Sequence, residues 1–469
     1  MAASEARQFA WETPPLEQRR RQRPKVRWSL DQFLDPLALA ATAPMALFPE
    51  RFPPLAMLIG LAILLVPYGV RRANAGRMTA RTAALWPLLF LLGVALPVGA
   101  YVSPAFWAVS WPELVRTVWG GAVCLGVINF CAASGSWPSR RSVKPHVAWA
   151  TAGFLGVGAI LGVLGLLAMG ANDKLPVVGD LAQGLTGALG GRGQGLNPNR
   201  VAGTVLLMAT PAALLMLAPQ RDRRIAPAVW GLGRVGLLGL AAFFGGVLLL
   251  SQSRTALLAA IMATTLACLL AGRRGWVLLG VAALMGLAVL SVFGPQRVLD
   301  VIAIKRDAET APSVGVLATI AADEAMAGRR MIWARAWHGV VDAPLTGVGL
   351  GAFRLLAQQP YSALPDYRPD PDTTHAHNLA LQTALDVGVP GLLAYAAVVV
   401  LAAAAALRLL LHSAAGSAAR LWAAGMVGAL LAFVIFNSLD AMTLGARPAV
   451  THWLLLGLLL GADAGMDAG

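Results

Sequence analysis

The sequence is divided by twelve apolar runs that are long enough to cross a membrane as helices. About 20 helical residues suffice, because they span the roughly 30 Å of a bilayer's hydrocarbon core. Hydrophobic residues make up 57% of the chain and charged residues 13%, a far more apolar balance than in a soluble domain. The runs cover residues 34–49, 53–70, 82–101, 112–133, 147–170, 199–218, 229–250, 253–271, 274–293, 389–411, 419–437 and 446–462. We therefore predict an all-α, polytopic helical membrane protein with about 12 transmembrane helices and one large extracytoplasmic loop.

Basic residues predict the orientation of these helices. Lys and Arg crowd the N-terminal tail and every second connection after it, which is the pattern of cytoplasmic loops, so both termini are expected in the cytoplasm. The predicted segments are a basic tail at 1–33, nine transmembrane helices at 34–293, the extracytoplasmic loop at 294–376, three further helices at 377–462 and a cytoplasmic tail at 463–469. Because the net charge of +14 follows the topology, it indicates membrane lipid and not nucleic acid as the surrounding partner.

Two of the six histidines lie where the long loop meets the tenth predicted helix. The stretch reads Thr374-His375-Ala376-His377-Asn378, and the helix after it contains Gly388-Val389-Pro390-Gly391. A neutral imidazole accepts a proton near pH 7, and a polar residue beside the bilayer is unfavourable unless it has a function. We therefore expect chemistry at the membrane surface, while a helix cap or an interfacial side chain is the competing interpretation.

Two arginines on the extracytoplasmic side are not explained by topology. Arg200 lies in the first turn of the sixth run, after Asn197 and Asn199, either of which can cap that helix. Free N–H groups and the helix dipole favour an anion at such a position. Arg254 ends the polar turn Ser251-Gln252-Ser253-Arg254 and must face the interface or a protein cavity. Binding of lipid phosphate is the simpler alternative for both arginines.

The segment 294–376 is too long to be an idle connection in a compact membrane domain. Within it, residues 329–338 are predicted to form an amphipathic interfacial helix. Its apolar face is composed of Ile332, Trp333, Ala336 and Trp337. The tryptophans are interpreted first as interface anchors and second as a platform for stacking sugars. Gly347, Gly349 and Gly351 then form a glycine-rich turn whose spacing does not fit a dinucleotide-binding motif.

These segments resemble the O-antigen ligase and O-antigen polymerase superfamily of bacterial cell-envelope proteins. The most specific match is the ligase pattern of His, then Asn, Ser or Gln, nine free residues, Gly, two free residues, and Gly, Thr or Tyr. His377, Asn378, Gly388 and Gly391 fit this pattern without gaps. The turns that end in Arg200 and Arg254, and the segment 329–349, are similar to the family too, so the resemblance covers roughly residues 195–440.

The resemblance implies a multi-pass protein of the bacterial inner membrane with its active site on the periplasmic side. It implies an inverting, metal-independent glycosyltransferase without a cofactor, which moves a glycan from an undecaprenyl-diphosphate-linked donor to a lipid A core or polysaccharide acceptor. In such ligases two arginines bind the diphosphate and a histidine is the catalytic base, which points to Arg200, Arg254 and His377. The further expected substrate-binding residues are Asn199, Asn378, Arg329, Trp333 and His375. Either Asn378 or an unidentified carboxylate would orient the His377 ring.

Three alternatives stay open. An O-antigen or exopolysaccharide polymerase of the same superfamily shares the donor chemistry and differs in its acceptor. Asp370 and Asp372 could bind a divalent metal together with His375 and His377, which leaves His375 as the alternative base. A secondary transporter, for example for inorganic carbon, is a different class, but the predicted helices contain few charges near their midpoints and no inverted repeat.

Overall fold

The computed structural model describes residues 31–133, 140–168, 197–219, 233–251, 253–302, 323–362, 364–365, 367 and 373–464, and every regular element in these ranges is helical. The α-helices are α1 Asp31–Leu47, α2 Pro54–Ala75, α3 Leu85–Phe90, α4 Leu96–Tyr101, α5 Trp111–Ala132, α6 Pro145–Ala168, α7 Pro198–Leu215, α8 Gly233–Ser251, α9 Arg254–Ala271, α10 Arg273–Ile302, α11 Asp323–Asp342, α12 Phe353–Leu356, α13 Leu379–His412, α14 Ala418–Leu439 and α15 Val450–Ala464. Short π-helical turns lie at Leu91–Ala95 and Phe106–Ser110, and 3-10 turns lie at Pro49–Arg51 and Arg447–Ala449.

The prediction of an all-α membrane protein is confirmed. In the described part of the chain, eight helices are long and apolar enough to cross a membrane. They are Leu55–Ala75, Phe106–Ala132, Pro145–Leu167, Gly233–Ser251, Arg254–Ala271, Arg273–Val292, Leu379–His412 and Ala418–Leu439. Each of the twelve predicted apolar runs coincides with helical residues, although Phe33–Leu47 and Leu85–Tyr101 are shorter. The count of twelve spans and the single large loop stay predictions.

Helix α14 is the most buried of the eight candidate spans and packs along α7 and α9. Gly203 of α7 lies against Phe436, and Pro211 lies against Gly425, so α7 runs antiparallel to α14. A side chain at Gly425 would press on the Pro211 backbone, and its absence allows the two helices to approach closely. Lipid tails are as apolar as the side chains of these helices, so the hydrophobic effect does not drive the helices together in a membrane. Close van der Waals contact between the helices holds them together instead.

Helices α7 and α9 begin at the same end of the bundle. Arg420 at the start of α14 donates from Nε to the Leu270 carbonyl near the end of α9 (2.9 Å), so α9 is antiparallel to α14 and parallel to α7. The Thr210 and Thr264 hydroxyls join α7 to α9 with a hydrogen bond of 2.8 Å. The N-terminal turns of both helices therefore lie about 15 Å from this hydrogen bond, at a common level.

The opposite end of the bundle collects arginines from connections that were predicted to be cytoplasmic. Arg140 donates from Nε to the carbonyl of His412, the last residue of α13, at 2.7 Å. Arg274 donates from Nη1 to the Gly416 carbonyl at 2.8 Å, in the connection between α13 and α14. Two connections that the sequence predicts to be cytoplasmic thus lie at the same end of the bundle, while the orientation itself stays a prediction.

Helix α13 begins ten residues before the apolar run predicted at 389–411, so that predicted start is wrong. Asn378 caps the helix, because its Oδ1 accepts the Leu381 N–H at 3.0 Å. The helix is kinked at Gly388, where φ is +71°. The first ten residues escape a search for apolar runs because they include polar side chains that are buried by protein and not by lipid.

The glycine-rich turn forms hydrogen bonds with the backbone of α13 at its kink. In an uninterrupted helix the Val389 N–H would bond to the Leu385 carbonyl. Here the Leu385 carbonyl accepts from Val348 N–H at 2.8 Å, and Val389 N–H donates to the Pro344 carbonyl at 2.8 Å. The turn thus satisfies both groups that the kink releases, which ties the segment 344–351 to the helix that follows the histidines.

Replacing Gly388 with alanine should destabilise the protein. A Cβ there would overlap the Leu345 carbonyl, and φ of +71° is strained for any residue with a side chain. We expect the free energy of unfolding to fall by about 1–3 kcal/mol, measured by thermal unfolding in detergent. The matched control is Gly239→Ala in α8, where a Cβ meets no atom within 4 Å. Equal melting temperatures for the two variants would contradict this account of the kink.

Candidate active site

His375, His377 and Asp440 form a compact polar cluster where α13 begins and α14 ends. His377 Nδ1 lies 3.3 Å from Asp440 Oδ1, and His375 Nε2 lies 4.0 Å from the same oxygen. The centroids of the two imidazole rings are 4.3 Å apart. Asn378 Nδ2 donates to the Ser438 carbonyl at 3.0 Å and so joins the two helix ends. This end of the bundle is also the end at which Arg200 and Arg254 open α7 and α9.

Asp440 was not singled out in the sequence, although a signal for it exists. It is the only carboxylate between residues 387 and 462, and it directly follows the apolar run of α14. An isolated carboxylate at the end of a membrane helix is a candidate functional residue. Asp440, and not Asn378, is therefore the group that contacts the His377 ring.

The backbone of the histidine loop has an unusual conformation. His377 has φ of 47°, and it is the one non-glycine residue in the described ranges with a positive φ. Its N–H lies 3.3 Å from His375 Nδ1, and the preceding Ala376 N–H donates to Gln382 Oε1 at 2.8 Å. A left-handed histidine is uncommon and strained, and strain of this kind concentrates at functional sites.

The protonation states in the cluster follow from burial and neighbouring charges. Burial lowers the pKa of His375 to about 4, with the neighbouring His377 and the charges of Arg200 and Arg354 acting in the same direction. Burial opposes ionisation of Asp440, but the hydrogen bond with His377, the electrostatic interactions with both imidazole rings and the Ala441 N–H together lower the pKa of Asp440. His375 is therefore neutral and Asp440 ionised at pH 7.

An ionised carboxylate only accepts hydrogen bonds, which assigns the tautomer of His377. In a neutral His377 ring, the Nδ1 atom carries the proton that faces Asp440 and the Nε2 atom has the lone pair. The His377 side chain is 31% exposed, compared with 11% for His375. Of the two histidines, His377 is the one more accessible to a substrate.

Arg354 is a cation near the cluster that the sequence analysis did not single out. Its Nε donates to the Gly351 carbonyl at 3.2 Å, directly after the glycine-rich turn. Its Nη2 lies 3.9 Å from Glu113 Oε1, and its charge acts on His375 together with that of Arg200. The sequence feature that could have identified Arg354 is its position three residues after Gly351, the last glycine of the turn.

The other predicted site residues are distributed over neighbouring elements. Asn197 caps α7, since its Oδ1 accepts the Asn199 N–H at 2.8 Å, and Arg200 lies in the first turn as expected. Ser253 caps α9, which leaves Arg254 exposed at the first helical position. Arg329 and Trp333 lie on α11, which packs through its own apolar residues against α13 and Ala376.

The protein covers only part of the predicted apolar face of α11. Ala336 is fully buried, but Trp337 is 59% exposed. Arg335 is 4% exposed, with its guanidinium carbon 4.2 Å from the centroid of the Tyr361 ring. The helix packs on α13, and this contact decides which of its side chains the protein covers, while its interfacial position stays a prediction.

The cluster could also hold a metal ion. His375, His377 and Asp440 each offer one ligand atom, and these atoms lie within 4.8 Å of one another. Neutral imidazoles and an ionised carboxylate are the forms that bind divalent cations. Asp370 and Asp372, which the sequence analysis grouped with the histidines, lie outside the described residues. The donor set therefore fits two chemistries, proton transfer and metal binding.

Comparison with known families places this site in a wider group. Residues 238–396 match the family model described as O-Antigen ligase, a segment that includes Arg254, the glycine-rich turn, His377 and the Gly388 kink. No curated protein matches the chain. The match supports a function of the O-antigen ligase or polymerase type, which acts on lipid-linked glycan and polysaccharide. The chain is a helical membrane protein whose residues 238–396 are similar to the O-antigen ligase family, and this similarity supports membership in that superfamily.

Proposed function

We propose that the protein is an inverting glycosyltransferase that moves a glycan from an undecaprenyl-diphosphate donor to an acceptor hydroxyl. The observation that carries the proposal is the His377 and Asp440 pair, at the same end of the bundle as Arg200 and Arg254. A base and two cations at one membrane surface supply what transfer from a lipid diphosphate requires.

His377 acts as the catalytic base. Asp440 holds the Nδ1 proton, and Nε2 takes the proton of the acceptor hydroxyl as its oxygen attacks the anomeric carbon. The bond between that carbon and the diphosphate oxygen breaks, and its electron pair stays on the diphosphate. Attack from the face opposite the leaving group inverts the anomeric configuration. Asp440 stabilises the imidazolium that forms.

Arg200 and Arg254 stabilise the diphosphate as it leaves. Guanidinium groups match phosphate oxygens with paired hydrogen bonds, and they remain charged throughout the reaction. Both arginines lie in the first turn of parallel helices, so the free N–H groups and dipoles of α7 and α9 add to the positive potential.

The end with the histidines faces the periplasm of a bacterial inner membrane in this proposal, and both chain termini are cytoplasmic. The support is the collection of Arg140, Arg274 and Arg420 at the opposite end, as expected for a cytoplasmic surface. The His377-Asn378 to Gly391 pattern favours a ligase, with lipid A core or another envelope glycan as acceptor, over a polymerase.

Replacing Arg200 or Arg254 with alanine should weaken donor binding about 10- to 100-fold, because each loses charge-assisted hydrogen bonds to phosphate. The measurement is binding of an undecaprenyl-diphosphate oligosaccharide to the purified variants. Arg254→Lys should recover only part of the affinity, since an ammonium cannot form the paired contact. Arg77→Ala, on an exposed connection, is the matched control. Unchanged donor affinity in both alanine variants would remove the arginines from the donor site.

A further inference from the structure

Two buried polar side chains of α13 have no role in the mechanism above. Gln382 is 1% exposed and Asp386 is 3% exposed. An amide and a carboxylate are costly inside a membrane helix unless hydrogen bonds satisfy them, and such residues are usually functional. The two side chains bond to each other, and their other partners lie outside the helix, in the two loops that meet at the site.

One continuous chain of hydrogen bonds joins these loops. Ala376 N–H donates to Gln382 Oε1 at 2.8 Å, and Gln382 Nε2 donates to Asp386 Oδ1 at 2.8 Å. The same Asp386 oxygen accepts the Gly351 N–H at 2.9 Å. Ala376 lies between the two histidines, so one end of the chain fixes their backbone. Gly351 begins the other end.

The Gly351 end leads to a second functional group. The carbonyl of Gly351 accepts from Arg354 Nε at 3.2 Å. Gly351 therefore bonds to Asp386 through its N–H and to Arg354 through its carbonyl. Gly351 has φ of +69°, a conformation that aligns the turn with α13 and that a side chain would strain. The buried pair therefore connects the histidine loop to the cation of the opposite loop.

Thr383 shows that burial in this turn of α13 does not require such contacts. It is fully buried, yet its hydroxyl donates to the Leu379 carbonyl of its own helix at 2.8 Å. Helix stability alone thus gives no reason for Gln382 and Asp386 to reach two separate loops. Burying the carboxylate and the amide is less unfavourable when both are hydrogen-bonded in one network than when each is buried alone.

We infer that Gln382 and Asp386 are positioning residues that set the histidine loop against the glycine-rich turn and thereby place His377 and Arg354 relative to each other. The consequence for catalysis rests on the proposed glycosyl transfer. The positioning itself does not depend on that reaction, and it can be tested without any substrate.

The first experiment measures the modification rate of His375 by diethyl pyrocarbonate, with mass spectrometry of the full-length protein in detergent. Gln382→Met keeps the length of the side chain and removes both hydrogen bonds. We expect His375 to react about fivefold faster or more in this variant, because the loop opens more often when its buried hydrogen bond is lost. The matched control, Thr383→Val, should leave the rate unchanged, and His338 on α11 provides an internal reference.

The second experiment measures glycan transfer by the same variants. Gln382→Met should lower kcat about tenfold or more while the donor KM stays within about twofold, because the phosphate contacts are elsewhere. Asp386→Asn retains an acceptor oxygen for the Gly351 N–H and should keep more activity than Asp386→Leu. If Gln382 served only in helix packing, Thr383→Val would lower kcat as much as Gln382→Met does.

The outcomes separate the two proposals. An unchanged His375 rate in Gln382→Met overturns the positioning role whatever the transfer assay shows, and a faster rate with full kcat overturns its catalytic consequence. A faster rate in a chain whose wild type transfers no glycan supports the positioning and contradicts only the proposed reaction. If Gln382→Met does not fold, the rate is measured in Asp386→Leu, which removes the acceptor shared by Gln382 Nε2 and the Gly351 N–H. His375 should then react faster, and an unchanged rate would overturn the role.

Discussion

Alanine in place of His377 should lower the rate of glycan transfer by about 10²- to 10⁴-fold, the usual contribution of a positioned base. The substitution removes the proton acceptor and leaves the phosphate contacts intact, so donor affinity should be unchanged. The measurement is the single-turnover rate at saturating donor, with donor binding measured in parallel.

His412→Ala is the matched control for this variant. His412 is an exposed histidine at the far end of the same helix, α13, where its Nδ1 lies 2.8 Å from the Arg408 carbonyl. It should transfer at the wild-type rate. A His377→Ala protein that also transfers at that rate would end the assignment of His377 as base and make His375 the next candidate.

Asparagine in place of Asp440 should lower the transfer rate by about 10²-fold or more, because the charge that holds the Nδ1 proton of His377 is lost. An amide can also donate to Nδ1, which moves the ring proton to Nε2, where it blocks proton acceptance. The rate of His377→Ala should not fall further when Asp440→Asn is added, since both changes remove one function.

Asp342→Asn is the control for the loss of a carboxylate. Asp342 is exposed at the end of α11 and accepts from the Tyr361 hydroxyl at 3.0 Å, away from the histidines. Its variant should transfer normally. Additive losses in the double variant of His377 and Asp440 would show that the two residues act separately.

The helices follow closely from the sequence because a long apolar run is a local signal. The start of α13 does not, since Gln382 and Asp386 interrupt the apolar pattern and are covered by the glycine-rich turn. A hydropathy pattern measures exposure to lipid, and it fails where protein replaces lipid around a membrane helix. The exposed Trp337 and buried Arg335 of α11 have the same cause, because packing on α13 decides which face is covered.

The candidate site is predictable only in its local part. His377, Asn378, Gly388 and Gly391 lie close together in sequence, and the structure places them at the start and around the kink of α13. Asp440 reaches His377 only through the packing of α13 beside α14, which no spacing in the sequence encodes. The placement of Arg200 and Arg254 at the same end of the bundle likewise depends on how α7 and α9 pack together.

The donor set of His375, His377 and Asp440 fits a metal as well as a proton, so the most direct measurement is transfer in the presence and absence of a chelator. Purified wild-type protein in liposomes would receive an undecaprenyl-diphosphate oligosaccharide and candidate acceptors, with and without EDTA, beside His377→Ala. We predict that the wild type transfers the glycan, that EDTA does not change this transfer, and that His377→Ala lacks it. Transfer that EDTA abolishes and a divalent ion restores would contradict the metal-free base. Folded wild type that transfers to no acceptor would contradict the proposed reaction itself.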